Sequence, residues 1–242
     1  MSSADLTLFS HVAVRAEAEL DLAQAALVLA EPEYPGLDIA HYLEALDALG
    51  EQARQCLDGP EHASDPPLRR ITRLLHDQLG FAGNERDYYD PRNSFLNEVL
   101  DRKTGIPITL ATVVIEVARR AGVVAHGVCF PGHFLLRTPG PSGPLFLDPF
   151  DGRLAGLDEL RAIYLRATGE TRDPDPRLLE PAPKRQILAR MLHNLRAIYT
   201  TRGDRERLVG VLERLHLLSP SDELEREIAS LAPPAPAART LN

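Results

Sequence analysis

The sequence predicts an α+β protein, mainly helical, with a small antiparallel sheet packed on a central helix and a helical segment at its C-terminal end. Three observations carry this expectation. Apolar residues recur at threes and fours through both ends of the chain, and the stretch TGIPITLATVVIEVARRAG is apolar on most sides. Three short β-rich runs then follow it with short connections.

In chain order, Leu20, Ala23, Leu27 and Ala30 predict a first helix, and Ile39, Tyr42, Leu43, Leu46, Leu49, Ala53 and Leu57 a second, flanked by the breakers EPEYPG and DGPEHASDPP. Leu68, Ile71, Leu74, Leu75 and Leu79 predict a third, ended by Gly80. Residues 1–82 thus read as a helical unit. FAGNERDYYDPRN is loop, and Asn93 or Ser94 is expected to cap a short helix through Leu100. Pro107 suits the first turn of the central helix, which Gly122 closes behind Arg119 and Arg120. The strand-like runs VVAHGVCF, HFLLRT and PLFLD complete an α+β core over 83–172, with PGPSGP as a flexible link. After the connector DPDPRLLEPAP, Ile187 to Tyr199, Leu208 to Leu218 and Leu224 to Leu231 form three amphipathic helices over 184–232. APPAPAARTLN, covering 233–242, is expected to be disordered.

With 27 Lys+Arg against 35 Asp+Glu, the net charge of −8 repels a phosphate backbone, so nucleic acid is not the expected partner. No stretch approaches the roughly 18 uninterrupted apolar residues of a membrane span, and the N-terminal region lacks a basic leader, so a cytoplasmic location is expected. Cys56 and Cys129 make no disulfide framework, and no Cys/His cluster has zinc spacing. Neither glycine-rich phosphate cradle is present, and no cofactor is expected.

YYDPRNSFLNEVLDRKTGIPITLA, GVCFPGHFLLR, LFLDPFDG and RMLHNLRAIYTTRGDRERLVGVLERLHLLSPSD, lying between residues 88 and 222, resemble the bacterial SirB-type proteins. Upstream, ALVLAEPEYPGLD also looks like that family's amino-terminal part. The resemblance implies a transglutaminase-like core, related to the papain-like enzymes, followed by tetratricopeptide-like helices. In such enzymes a helix N-terminus stabilises a cysteine thiolate, a histidine from a neighbouring strand handles the proton, and an aspartate fixes the imidazole. It maps His133 to the histidine and Asp148 to the aspartate. At the cysteine position stands Pro107, which has no thiol.

The resemblance therefore implies a protein without the helix-start nucleophile, non-catalytic and binding a protein or peptide through its C-terminal helices. The alternative is a hydrolase or acyltransferase in which His133 and Asp148 work with Cys129 or a water. Cys129 lies four residues before His133 in a strand, where it serves either as core filler or as that nucleophile. Thr109 reads as a first-turn cap. Asn93 and Asn97 lie one turn apart, facing a cleft unless Asn93 is a helix cap. Arg119 and Arg120 suit the end of a helix dipole, and Asp148 with Asp151 offers too few oxygens for calcium.

Overall fold

The computed structural model describes residues 3–231, and its architecture is α+β, mostly helical, as the periodicities require. The expected disordered tail over 233–242 lies outside the described residues. A helix not anticipated from the sequence, α1 (Ser3–Ala13), precedes α2 (Leu22–Ala30), in which every residue except Gln24 is buried. Asp21 caps α2 by accepting from Gln24 N at 2.9 Å. Next come α3 (Ile39–Asp58) and α4 (Pro67–Arg73), and the last widens into a π turn over Leu74–Gln78.

A two-residue parallel pair, β1 (Ala82–Gly83) with β2 (Thr104–Gly105), brackets a 3-10 turn at Pro91–Ser94 and α5 (Leu96–Arg102). The expectation that Asn93 or Ser94 caps α5 is not met. Phe95 occupies the cap without a side-chain bond, because Asn93 is fully buried and committed to the loop before it. The central helix α6 (Pro107–Arg120) has Pro107 at its first position and packs on α3, α4 and α5 as well as on the sheet.

That sheet is a meander of β3 (His126–Val128), β4 (Leu135–Gly140) and β5 (Gly143–Leu147), antiparallel throughout. Gly140 pairs with Gly143, so the link between the last two strands is a tight hairpin around Pro141 and Ser142, where the sequence suggested a flexible connection. Phe134, Leu136 and Leu147 belong to the main core with α6. Leu135 and Val128 face the other way, into a second cluster with Phe130, Leu160, Ile163 and Tyr164. The cover on this second face is α7 (Leu157–Thr168), which sequence reading missed.

The last three helices are α8 (Lys184–Arg202), α9 (Arg205–Leu218) and α10 (Asp222–Leu231), where the periodicity placed them. Gly203 in the left-handed conformation turns α8 into α9. Helix α8 packs on α2 and α6 and α9 packs on α1, so a single buried cluster runs from Phe9 to Leu215.

One polar device sits inside this core. Glu116 on α6 is 3% exposed and accepts from Arg120 Nη1 at 2.6 Å and from Arg119 Nη2 at 2.9 Å, while Arg120 Nε reaches Asp47 on α3 at 2.6 Å. These arginines therefore do more than complement a dipole; Arg120 ties α6 to α3. Removing one member of a buried pair leaves the other charge uncompensated. Arg120→Met is expected to lower unfolding stability by about 3 kcal/mol, read as an earlier denaturant midpoint at unchanged slope. A midpoint equal to that of the unaltered chain would remove this role.

Candidate functional site

The site begins with the turn between β3 and β4. Phe130 N donates to Val128 O at 3.0 Å and His133 N to Phe130 O at 3.1 Å, which folds Pro131 and Gly132 into a tight corner. Gly132 has φ +70°, and a Cβ there would sit 2.6 Å from Ala167 Cβ on α7. Only glycine meets both demands. The corner delivers His133 to the edge of the sheet beside the start of α6.

Asp148 follows β5 and is held on both carboxylate oxygens. Oδ2 lies 2.8 Å from His133 Nε2, and Oδ1 accepts from Phe150 N at 2.8 Å. Its backbone is fixed as well, since Asp148 N donates to Arg153 O and Gly152 N to Asp148 O, each at 2.8 Å. The DPFDG loop is then pinned from outside. Thr72 Oγ1 donates to Gly152 O at 3.0 Å, Arg69 donates to the same oxygen, and Gly83 N donates to Phe150 O at 3.1 Å. The bare face of Gly83 receives the Phe150 ring, where a Cβ would lie 2.2 Å from it. His133 and Asp148 thus form a bonded pair, 19% and 14% exposed at their side chains. With Nε2 on the aspartate, ring atom Nδ1 remains for the cleft in front.

That cleft is lined by Pro107 and Ile108 of α6, His133 and Phe134, Tyr88 of the preceding loop, and Arg190 with Asn194 of α8. The Pro107 end of α6 and the His133 edge therefore converge. The first helical N–H groups have no partner within a helix, and proline removes one of them here. Thr109 is the cap the sequence suggested: its Oγ1 accepts from Ile106 N at 3.3 Å and donates to Asn93 O at 2.6 Å. Asn93 is the organiser that periodicity could not show. Its amide donates to Asp87 O at 2.8 Å and Tyr88 O at 3.2 Å, and its Oδ1 accepts from Asn84 Nδ2 at 3.1 Å. It does not face the cleft; it holds the Tyr88 loop against α6. Asn97, also buried, has an Oδ1 without a hydrogen-bond partner.

Cys129 is not brought to the pair. Its thiol does not line the cleft and makes no hydrogen bond to the His133 ring. Burial pushes that thiol above its ordinary range, and Arg190 offsets the shift only in part. Among the described residues no group of His, Cys, Asp and Glu could hold a metal ion. No described helix is long and apolar enough to cross a membrane. A larger cavity of about 150 Å³ lies between α2, α8 and α9, lined by Leu29, Phe95, Leu192, Leu195 and Val211. Glu33 at its rim is already engaged by Arg207 and Tyr199, which makes it a weaker candidate for chemistry.

The family model described as Transglutaminase-like superfamily matches residues 40–193. A UPF0162 protein of Xylella fastidiosa is 40% identical over 224 residues, covering 89% of this chain and 78% of its own. A UPF0162 protein of Pseudomonas aeruginosa is 32% identical over 206 residues, covering 85% and 75%. F-box only protein 21 of Homo sapiens is 45% identical over 84 residues, covering 35% of this chain and 13% of its own. No solved structure matches. The chain belongs to the transglutaminase-like superfamily.

The seat of the Phe150 ring makes the pair testable from a distance. Gly83→Ala is expected to displace that ring, loosen the Asp148 loop and cost about 1–3 kcal/mol. In nitrogen-15 spectra of the imidazole, His133 should then lose the bias toward a proton on Nε2. An imidazole spectrum like that of the unaltered chain would show that the loop is held by other contacts.

Proposed function

We propose that this member of the transglutaminase-like superfamily acts by binding and not by thiol acyl transfer. The observation behind the reading is the occupant of the cleft: Pro107 opens α6 in the same cleft as His133, while Cys129 lies outside it with its thiol pushed up by burial. A pyrrolidine ring can neither attack a carbonyl nor ionise, so the retained pair has no partner sulfur to activate. We assign the chain to the SirB-type proteins within the superfamily, with α8 to α10 as tetratricopeptide-like helices that take a protein or peptide partner.

Much of the inner surface of α8 and α9 is already used on α1 and α2, as Leu192, Leu195, Leu208 and Leu212 are all buried. The surface left for a partner is the cleft between α1, α9 and α10, lined by Leu6, Ser10, Glu213, His216, Leu217 and Ile228. Leu217→Glu is expected to abolish capture of a partner by the full chain while leaving its melting temperature unchanged. Retention of the same partners by the variant would dismiss this surface.

A second reading keeps the chemistry: His133 as base, Asp148 as its orienter, and a water as nucleophile. The fixing of Asp148 on both oxygens favours it. The two readings separate in one comparison. The unaltered chain is expected to show no hydrolysis or transamidation of glutamine peptides above buffer, whereas turnover lost in His133→Ala establishes the enzyme. Pro107→Cys is expected to create a thiol that iodoacetamide labels at pH ~6 faster than Cys56 or Cys129, because a helix N-terminus and an imidazole lower a thiol's pKa. Cys129 should label appreciably only at pH above the ordinary thiol range, since its thiolate forms there. A new cysteine as slow as Cys129 would mean that Pro107 does not occupy a nucleophile's position.

A further inference from the structure

We infer that the cleft at the start of α6 is a carboxylate-binding site, with Arg190 as its cationic anchor and the group it takes being an aspartate or glutamate side chain of a peptide or a small free carboxylate. Arg190 and Asn194 lie four apart on α8, on one face of that helix, and both line the cleft half-buried. Neither side chain has a hydrogen bond or ion pair among the described residues, although nearly every other buried or half-buried arginine of the core carries one: Arg70 on three carbonyls, Arg102 on Asp90, Arg120 on Glu116 and Asp47. The guanidinium of Arg190 is therefore open to a group from outside the chain. It stands in a cleft that is also lined by His133, Tyr88 and the start of α6.

The signs agree. No acidic side chain lines the cleft, and the carboxylate of Asp148 is taken by His133 Nε2 and Phe150 N. The field of Arg190 is felt at Tyr88 and at Cys129, where it favours the anionic form of each, which places the guanidinium among these groups. The cleft is small, about 20 Å³, and a carboxylate can meet two parallel N–H groups of one arginine in a planar arrangement. Pro107 has no N–H to offer at the first helical position, which leaves Arg190 as the arginine donor of the lining.

This site goes beyond the binding reading above and does not depend on it, because it stands whether or not the cleft turns over a substrate. The test uses the full chain and two blocked tripeptides, Ala-Glu-Ala and Ala-Gln-Ala, titrated while backbone signals of Ile108 and His133 and the Nε signal of Arg190 are followed by NMR. The glutamate peptide is expected to shift these signals saturably and to bind at least ~tenfold more tightly than its glutamine counterpart, the loss expected when a charge-assisted pair becomes neutral. Arg190→Gln should reduce glutamate-peptide affinity by a similar factor with an unchanged melting temperature. Acetate moving the signals as effectively as the peptide assigns the site to free carboxylates; tighter peptide binding assigns it to acidic side chains. Equal affinity for the two peptides, absence of shifts up to the solubility limit, or tighter binding of inorganic phosphate than of either carboxylate would overturn the assignment. Should Arg190→Gln fail to fold, the pair of peptides on the unaltered chain decides alone.

Discussion

Helix α6 is buried on nearly every side, and the molecule is arranged around the need to satisfy it. A helix in that position cannot leave its end groups to water. Its first turn is closed by Thr109, which ties the helix to Asn93, and Asn93 in turn draws the loop over residues 84–93 onto the core. Its last turns carry Glu116, a buried charge that two arginines neutralise, and one of them, Arg120, fastens α3 through Asp47. The candidate site lies at the first of these ends because there alone loop, sheet edge and α8 meet around one helix terminus.

The same constraint explains why the pair of His133 and Asp148 is so rigid. The histidine comes from a corner that glycine shapes against α7, and the aspartate from a loop clamped by Thr72, Arg69 and Gly83. Three elements distant in sequence, α4, β1 and α7, thus fix two side chains to one another. Positioning of this kind is what acid–base chemistry and selective binding share. The residue at the helix start beside the pair is a proline.

Long amphipathic helices were legible in the sequence because their apolar spacing is a direct image of burial: α3, α8 and α9 lie where Leu46, Leu192 and Leu212 repeat. His133 and Asp148 stand in the runs GVCFPGHFLLR and LFLDPFDG, and the structure bonds them to one another. Helix α7 was not seen, although its signal was present twice. Leu157, Leu160, Ile163 and Tyr164 have helical spacing, and the run Phe134 to Leu136 is apolar on both faces, which a sheet exposed on one side would not be. Asn93 was misjudged because a helix cap is a local arrangement while its real partners, Asp87, Tyr88, Asn84 and Thr109, are gathered by tertiary folding. Helix α1 and the two-residue strands are too short or too mixed to stand out from their neighbours.

The wall formed by α8 has a bearing on how the molecule comes into being. A ribosome delivers β4 and β5 well before residues 184–202, so a nascent chain ending after the sheet carries His133 on an open edge with Pro107 unshielded. Arg190 and Asn194 add the last wall to the lining. The cleft is thus complete only after α8 has been made, and changes in the C-terminal helices bear on a place built mostly by the middle of the chain.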